Sequence, residues 1–280
     1  MFYLIITSII WAFSFGLIKT HLVGIDSNLV AFIRLFLSLL IFLPFYRVRN
    51  LNKSLFFKLI LIGAVQYGIM YTVYIASYQY LAAYQVALFT IFTPFYVTII
   101  NDLLLKKHDH LALKYVLISI LGTGIIIYNA TGQISYGFLL IQISNITFAF
   151  GQVYYKQIMN KHKKVKDIEV FSLLYLGAVI FTGVVSFFAT KSTVISISLT
   201  QILVLLYLGI VASGLCFFMW NFGAKHVHAG SLGIMNNIKV PLAILASIIV
   251  FKEQTNLVRL TIGGGLIIWA IWKNEKRIKK

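Results

Sequence analysis

The stretch GAVQYG at residues 63–68 returns as GIVASG at residues 209–214, so a GxVxxG pattern recurs 146 residues further along the chain. Other matches flank it in the same order, and they pair Ala12, Phe13 and Lys19 with Ala149, Phe150 and Lys156, and Pro94 with Pro241. Apolar helices share few residue types, so a single match carries little weight, but three ordered matches favour a duplication. The sequence therefore predicts two repeats, residues 1–130 and 137–273, followed by a basic tail at 274–280.

The composition indicates a membrane protein. The 280 residues are 60% hydrophobic and only 11% charged, with a mean hydropathy of +0.91. Soluble domains are about 45–50% apolar and about 25% charged, so this chain would aggregate in water. Its high hydrophobicity excludes disorder, and a single cysteine, Cys216, excludes a disulfide scaffold. The first apolar segment, which contains Trp11, is expected to be a retained helix and not a cleaved signal peptide.

The apolar runs provide for ten crossings, because about 20 helical residues span the hydrocarbon core of a bilayer. The predicted spans are residues 2–20, 28–46, 56–79, 83–105, 112–129, 137–158, 168–190, 199–222, 229–251 and 256–273. Ten crossings occupy most of the chain, so the function is expected to reside within the helical bundle.

The basic residues concentrate in alternate connections and in the tail. They are Arg47, Arg49, Lys53, Lys58, Lys106, Lys107, Lys114, Lys161, Lys163, Lys164, Lys166, Lys273, Lys276, Arg277, Lys279 and Lys280. Residues 80–83 and 129–136 hold no Lys or Arg, and the seventh-to-eighth connection holds only Lys191. Because cytoplasmic loops are enriched in Lys and Arg, both termini are predicted to lie in the cytoplasm, with the chain in the cytoplasmic (inner) membrane.

The same distribution excludes nucleic acid as a partner. The net charge is +17, yet no basic stripe interleaved with aromatic residues follows an exposed face, as a nucleic-acid binder would need. The expected partners are the lipid bilayer and a small-molecule substrate, and the sequence gives no indication of the oligomeric state.

Each repeat holds five spans, an odd number, so the second copy is predicted to enter the membrane upside down. The predicted fold class is an all-α integral membrane protein of ten transmembrane helices arranged as two inverted five-helix repeats. Inverted repeats are common in secondary transporters, whose substrate site lies near the membrane midplane between the halves.

Three short stretches carry a resemblance to a known family: WAFSF at 11–15 with Lys19, FIRLF at 32–36, and FKE at 251–253. They resemble the first-helix opening, the second-helix Arg-Phe motif and the ninth-helix Gly-Glu ending of the EamA-type, ten-helix members of the drug/metabolite transporter superfamily. The first half has Leu-Lys-Lys at 105–107 where that Glu would recur. The resemblance implies a basket-like bundle with a central cavity lined mainly by helices 1, 3, 4, 6, 8 and 9.

Lys239 is the sharpest candidate for substrate binding, because it lies near the centre of the ninth span in the stretch NNIKVP at 236–241. A cation at that depth costs about 2.5–3.5 kcal/mol and needs a partner or a polar cavity. Pro241 removes a helical hydrogen bond and can kink the helix. We interpret Lys239, with Asn236 beside it, as a site for a substrate carboxylate. The alternative is a lysine that lines wet space or contacts helix carbonyls.

Aromatic and amide side chains on other spans are candidates for the walls of the same cavity. Tyr67, Tyr71, Tyr74 and Tyr78 share one helical stripe, of which Tyr71 and Tyr74 are the central pair. The remaining candidates are Gln142, Asn145 and Gln152 on the sixth span, Trp220, which the repeat pairs with Tyr74, and Trp11. The alternatives are an aromatic packing seam for the tyrosines and interhelical hydrogen bonds for the amides.

Arg34 is interpreted as a gate or structural residue that snorkels or pairs with Asp26 or another acid at the outer end of the span. Pro94 and Pro241 are assigned to the same gate or structural class. The sequence predicts no catalytic residue, no metal site and no cofactor.

The favoured function is alternating-access transport of small organic metabolites, namely amino acids or related zwitterions such as S-adenosylmethionine. The alternatives are a drug or amine efflux carrier of the same fold and, less favoured, an integral-membrane lipid-modifying enzyme. The chain lacks the HExxH and GxSxG motifs and the paired carboxylates that such an enzyme needs, so a non-enzyme is predicted.

Overall fold

The structure is a computed structural model that describes residues 1–22, 24–47, 51–81, 86–87, 89–105, 110–126, 136–190, 197–251 and 257–278. The predicted boundary of the first repeat at residue 130 lies outside the described residues, and so do several charged residues discussed above. These are Arg49, Lys106, Lys107, Lys191, Lys252, Glu253, Lys279 and Lys280.

The described part of the chain is helical and contains no strand. The helices are α1 (Phe2–His21), α2 (Ser27–Phe42), α3 (Lys53–Ser77), α4 (Thr93–Leu105), α5 (His110–Ile126), α6 (Tyr136–Lys161), α7 (Asp167–Ala189), α8 (Leu199–Lys225), α9 (Ala229–Phe251) and α10 (Leu257–Ile278). Most of them match the predicted spans to within about four residues, but α10 continues to Ile278 where the predicted span ends at 273. The fourth span was predicted to begin at residue 83, whereas α4 begins at Thr93 after a short 3-10 turn, Thr90–Phe92. Residues 82–85 and 88 of that stretch lie outside the described residues.

Five segments among the described residues are long and apolar enough to cross a membrane: Phe2–His21, Ser27–Phe45, Lys53–Ser77, Asp167–Ala189 and Leu199–Lys225. Large apolar side chains such as Phe57, Leu103 and Phe187 are mostly exposed, as expected for surfaces that face lipid. These findings agree with a multi-pass membrane protein. The count of ten spans and the inverted arrangement stay predictions.

Local sequence explains where several helices begin. The Asp26 carboxylate accepts hydrogen bonds from the backbone N–H groups of Asn28 and Leu29 at 2.9 and 3.3 Å, and so caps α2. Asn52 caps α3 in the same way. Ser198 and Gln201 form a capping box at the start of α8. These caps satisfy backbone donors that a helix leaves unpaired in its first turn.

Two glycines allow α3 and α7 to cross with their backbones in contact. A Cβ atom at Gly63 would lie 1.8 Å from the carbonyl oxygen of Leu174, and one at Gly177 would lie 2.0 Å from the carbonyl oxygen of Ile60. Helices in membranes associate largely through such close packing at small residues. The crossing therefore fixes α7 against the half of α3 that precedes the tyrosine stripe.

The two GxVxxG stretches coincide with π-helical turns, at Ala64–Ile69 in α3 and Leu208–Leu215 in α8. The Tyr175 hydroxyl of α7 lies within hydrogen-bond distance of two carbonyl oxygens of the α8 turn, those of Ser213 and Gly214, at 2.8 and 2.7 Å. π-Helical turns are rare in proteins overall, and many of those that occur lie at functional sites. Here both lie beside the centre of the bundle.

The helix contacts occur in corresponding pairs: where one helix of the first half packs on a helix of the second, their counterparts in the other halves also pack on each other. The first half of α3 and its π turn pack on α7, and the π turn of α8 packs on α2. In the same way α1 packs on α8 and α9, while α6 packs on α3 and α4. This arrangement brings α1, α3, α6, α8 and α9 around a common interior.

Candidate functional site

A central cavity lies between these helices and is open at a mouth; the space free of protein atoms in the cavity and its mouth together is about 580 Å³. Its lining comes from α1, α2, α3, the turn before α4, α4, α6, α8 and α9, which are the helices expected from the family resemblance with α2 in addition. The lining residues are Trp11, Ser14, Phe15, Ile18, Arg34, Met70, Tyr71, Tyr74, Thr90, Thr93, Ser144, Asn145, Phe148, Phe217 and Lys239.

Lys239 brings an ammonium group into this cavity from α9. Its side chain is 6% exposed, and its Nζ lies 5.7 Å from the centre of the Trp11 ring and 5.9 Å from that of Phe148. Two aromatic faces attract a cation and offset part of the cost of its burial. Among the described residues no carboxylate pairs with Lys239. The ammonium therefore remains available to an anionic group in the cavity.

Arg34 brings a second buried cation to the cavity, and the expectation that it pairs with Asp26 is wrong. It is 2% exposed, donates from Nε to Ser213 Oγ at 3.2 Å, and donates from Nη2 to the Tyr71 hydroxyl at 2.9 Å. Asp26 instead caps α2. The remaining nitrogen, Nη1, is buried and has no hydrogen-bond partner in the described part of the chain. A guanidinium held at two nitrogens is oriented to offer a third to a ligand.

The tyrosine stripe of α3 divides between the cavity and the packing around it. Tyr71 and Tyr74 line the cavity, and the Tyr74 hydroxyl contacts that of Tyr78 at 2.8 Å. Tyr67 lies outside the cavity lining, where its hydroxyl accepts from Asn221 at 2.8 Å and its ring packs on Phe217. The central pair of the stripe is therefore the pair that reaches the cavity.

Trp11 and Phe148 form a floor, and three predicted binding residues lie behind it. The Trp220 ring packs on Trp11 with centroids 5.0 Å apart and donates from Nε1 to Gln152 Oε1 at 2.8 Å. Asn236 contacts the same oxygen from Nδ2 at 3.5 Å. Trp220, Gln152 and Asn236 are fully buried and do not line the cavity in this conformation.

Asn145 closes the cavity on the side of α4 and α6. Its Nδ2 donates to the carbonyl oxygen of Phe89 at 2.8 Å, and its Oδ1 accepts from Thr93 at 3.0 Å. Gln142, one turn away, donates to the same carbonyl of Phe89. Pro94 occupies the first turn of α4, where its missing N–H costs nothing. Pro241 lies inside α9, two residues after Lys239.

The structure thus brings five of the predicted binding residues to one cavity: Lys239, Tyr71, Tyr74, Asn145 and Trp11. Gln142, Gln152, Trp220 and Asn236 lie outside its lining. It also adds residues that sequence reasoning missed, among them Thr93, Ser144 and Phe217. Thr93, directly before Pro94, carries a usable signal, because a hydroxyl in an apolar span needs a partner. Phe217 carries none, since one phenylalanine in an apolar helix resembles another. Two buried cations and no described carboxylate give the cavity a positive character suited to an anionic ligand.

Comparison with known proteins gives a family match over nearly the whole chain. A model of the "EamA-like transporter family" matches residues 1–129 and 135–273. The two matched segments together leave out only a short central stretch and the basic end of the chain.

Curated relatives carry a more specific name. The chain is 38% identical to a "Biotin transporter" of Salmonella typhimurium and 37% identical to one of Escherichia coli, in each case over 98% of this chain and 92% of the relative. It is 35% identical to a "Probable biotin transporter" of Pseudomonas aeruginosa, over 98% of this chain and 97% of the relative.

One solved structure, titled only "Crystal structure of protein", has the same fold. The two chains superpose with a TM-score of 0.77 over 96% of this chain and 95% of that one, at 14% sequence identity. At that identity the likeness concerns the fold alone.

Proposed function

We propose that biotin is the substrate of this chain, which belongs to the EamA-like transporter family. Members and relatives named above are transporters, so the chain is a membrane-embedded small-molecule transporter and not an enzyme. Biotin carries a carboxylate on a short aliphatic chain that is attached to a fused ring system with a ureido group. The name of the relatives suggests this substrate, and the positive, partly apolar cavity is compatible with its carboxylate and its aliphatic chain.

The observation that carries the proposal is the pair of buried cations. Lys239 has no described carboxylate partner, and Arg34 has one buried nitrogen without a hydrogen bond. A substrate carboxylate satisfies both kinds of donor, and hydrogen bonds to charged groups are about twice as strong as neutral ones. Phe15 and Phe148 offer apolar surface for an aliphatic chain and ring.

The same cations disfavour the amino acids and S-adenosylmethionine that the sequence suggested. A zwitterion brings a positive group, and the described lining offers it no carboxylate. The face of the Tyr71 ring is not free to attract an amine, because the Arg34 guanidinium already lies 4.6 Å from the ring centre. An amine efflux carrier is disfavoured for the same reason, and the relatives do not support amino acids as substrates.

We infer further that transport proceeds by alternating access between two inverted five-helix repeats, with both termini in the cytoplasm. The exchange of helix contacts between the halves supports a two-fold relation, as do the two π turns at equivalent GxVxxG stretches. The basic residues in alternate connections support the orientation.

Uptake of tritiated biotin by cells that lack their own biotin transporter tests the substrate. The wild-type chain is expected to accumulate biotin, and unlabelled biotin is expected to compete while amino acids and S-adenosylmethionine do not. Purified protein in detergent is expected to be stabilised by about 2.7 kcal/mol at a biotin concentration 100 times the Kd. Stabilisation by a neutral amino acid, together with no stabilisation by biotin, would overturn the proposal.

A further inference from the structure

Two buried amide side chains behind the cavity floor each leave one hydrogen-bonding atom unused. Gln152 Oε1 accepts from Trp220 Nε1 at 2.8 Å, and Asn236 Nδ2 donates to the carbonyl oxygen of Leu232 at 2.8 Å. An indole N–H only donates and a carbonyl only accepts, so these contacts fix which end of each amide is the oxygen. Gln152 Nε2 and Asn236 Oδ1 then have no partner among the residues that the structure describes, and both side chains are 0% exposed.

A second amide pair in the same bundle shows the contrast. Gln66 Nε2 donates to Asn221 Oδ1 at 2.9 Å, and Asn221 Nδ2 donates back to Gln66 Oε1 at 3.2 Å and to the Tyr67 hydroxyl at 2.8 Å. This pair is equally buried, yet every one of its amide atoms has a partner. Native proteins leave few buried polar atoms unpaired, and each one calls for an explanation.

The unused atoms lie one helical turn behind the cavity. Asn236 precedes Lys239 by three residues on α9, and Gln152 follows Phe148 by four residues on α6, so each shares a helix face with a residue of the lining. The Trp220 ring, which Gln152 holds, packs directly on Trp11. The amide pair therefore lies directly behind the floor formed by Trp11 and Phe148.

We propose that Gln152 and Asn236 form a second substrate contact, beyond the floor, that takes a cyclic urea. The free Nε2 donor matches the ureido C=O, and the free Oδ1 acceptor matches an adjacent ureido N–H. Together with the cations on the cavity side, the chain then contacts both polar ends of its substrate during transport. This inference rests on biotin as the substrate.

Competition against tritiated biotin uptake separates the two ends of the substrate. Desthiobiotin keeps the ureido group and the carboxylate, whereas lipoate keeps a carboxylate on a chain of the same length and lacks the ureido group. In the wild-type chain, desthiobiotin is expected to compete much better than lipoate. In Gln152→Met and in Asn236→Leu this preference is expected to fall by about tenfold, which corresponds to roughly one lost hydrogen bond.

Matched variants distinguish recognition from structure. Gln66→Met breaks the satisfied pair, so it is expected to change all competitors alike and to leave the preference as it is. Lys239→Gln is expected to weaken both competitors, since both carry the carboxylate. A preference that Gln152→Met and Asn236→Leu leave intact would overturn the inference while biotin remains the substrate.

A measurement without variants covers the case in which these proteins fail to fold. Thermal unfolding of the wild-type protein in detergent is expected to shift more with desthiobiotin than with an equal concentration of lipoate. Equal shifts would refute a ureido contact. A wild-type chain that neither binds nor transports biotin would instead refute the proposed function, and the ureido contact with it.

Discussion

Replacement of Lys239 by methionine is expected to move stability and binding in opposite directions. A lysine ammonium in the middle of a membrane span costs about 2.5–3.5 kcal/mol. Its two aromatic neighbours, Trp11 at 5.7 Å and Phe148 at 5.9 Å, offset about 2 kcal/mol of this cost through cation–π attraction. No carboxylate in the described part of the chain forms an ion pair with Lys239 that would offset more of the cost. Lys239→Met, which keeps the length of the side chain, is therefore expected to stabilise the fold by about 1 kcal/mol.

Binding is expected to weaken in the same variant. A hydrogen bond to a charged group contributes about 1.5–3 kcal/mol, so loss of the ammonium raises the Kd for biotin by roughly tenfold to 150-fold. Thermal unfolding in detergent measures the first effect, with a rise in Tm of about 2–4 °C, and a titration of the same sample with biotin measures the second. Lys161→Met, at the exposed end of α6, is the control and is expected to change neither quantity.

A fall in Tm for Lys239→Met would refute the reasoning, because it would show that the lysine stabilises the fold through contacts within the protein. An unchanged Kd would refute it equally, because the ammonium would then not face the substrate.

Four further substitutions have outcomes that follow from the surroundings of each residue. Gly63→Ala places a Cβ atom 1.8 Å from a carbonyl oxygen of α7, so it is expected to lower the Tm strongly. At Gly264 no atom lies within 4 Å of the added Cβ, so Gly264→Ala is expected to raise the stability of α10 by about 0.5–1 kcal/mol. Thermal unfolding of the two variant proteins measures both effects. Arg34→Lys keeps the charge but loses the fork that reaches Tyr71 and the α8 hydroxyl, so the Kd for biotin should rise about tenfold in the same titration. Asn221→Leu leaves its buried amide partner on α3 unpaired and should cost about 1–3 kcal/mol of stability, with little change in the preference for ureido compounds.

The sequence predicted those features of the site that depend on one helix at a time. Lys239 is a cation in an apolar span, Tyr71 and Tyr74 share a helical stripe, and Asn145 belongs to a row of amides. Each signal comes from the conflict between a polar group and its apolar neighbours, which holds whatever the rest of the bundle does. The structure places all of these residues in the lining of the central cavity, while their role in binding stays a prediction.

Features that depend on how helices meet were not predictable in this way. Arg34 contacts Tyr71 on α3 and Ser213 on α8, and no pattern within α2 indicates these partners. Trp220 was assigned to a cavity wall through its repeat position, but the packing of α8 on α1 turns it behind Trp11. The crossing angle and rotation of each helix decide such contacts, and they result from close packing along its whole length.

The π turns make α3 and α8 behave as two half-helices that are out of phase. A regular helix advances about 100° per residue. One additional residue in a turn therefore rotates every following side chain around the helix axis. In α3, the half before the turn docks through Gly63 on a neighbouring backbone, while the half after it directs Tyr71 and Tyr74 inward. The first half of α3 therefore packs against α7, and the second half contributes side chains to the cavity. A helical wheel drawn for an uninterrupted α3 would not separate these two faces.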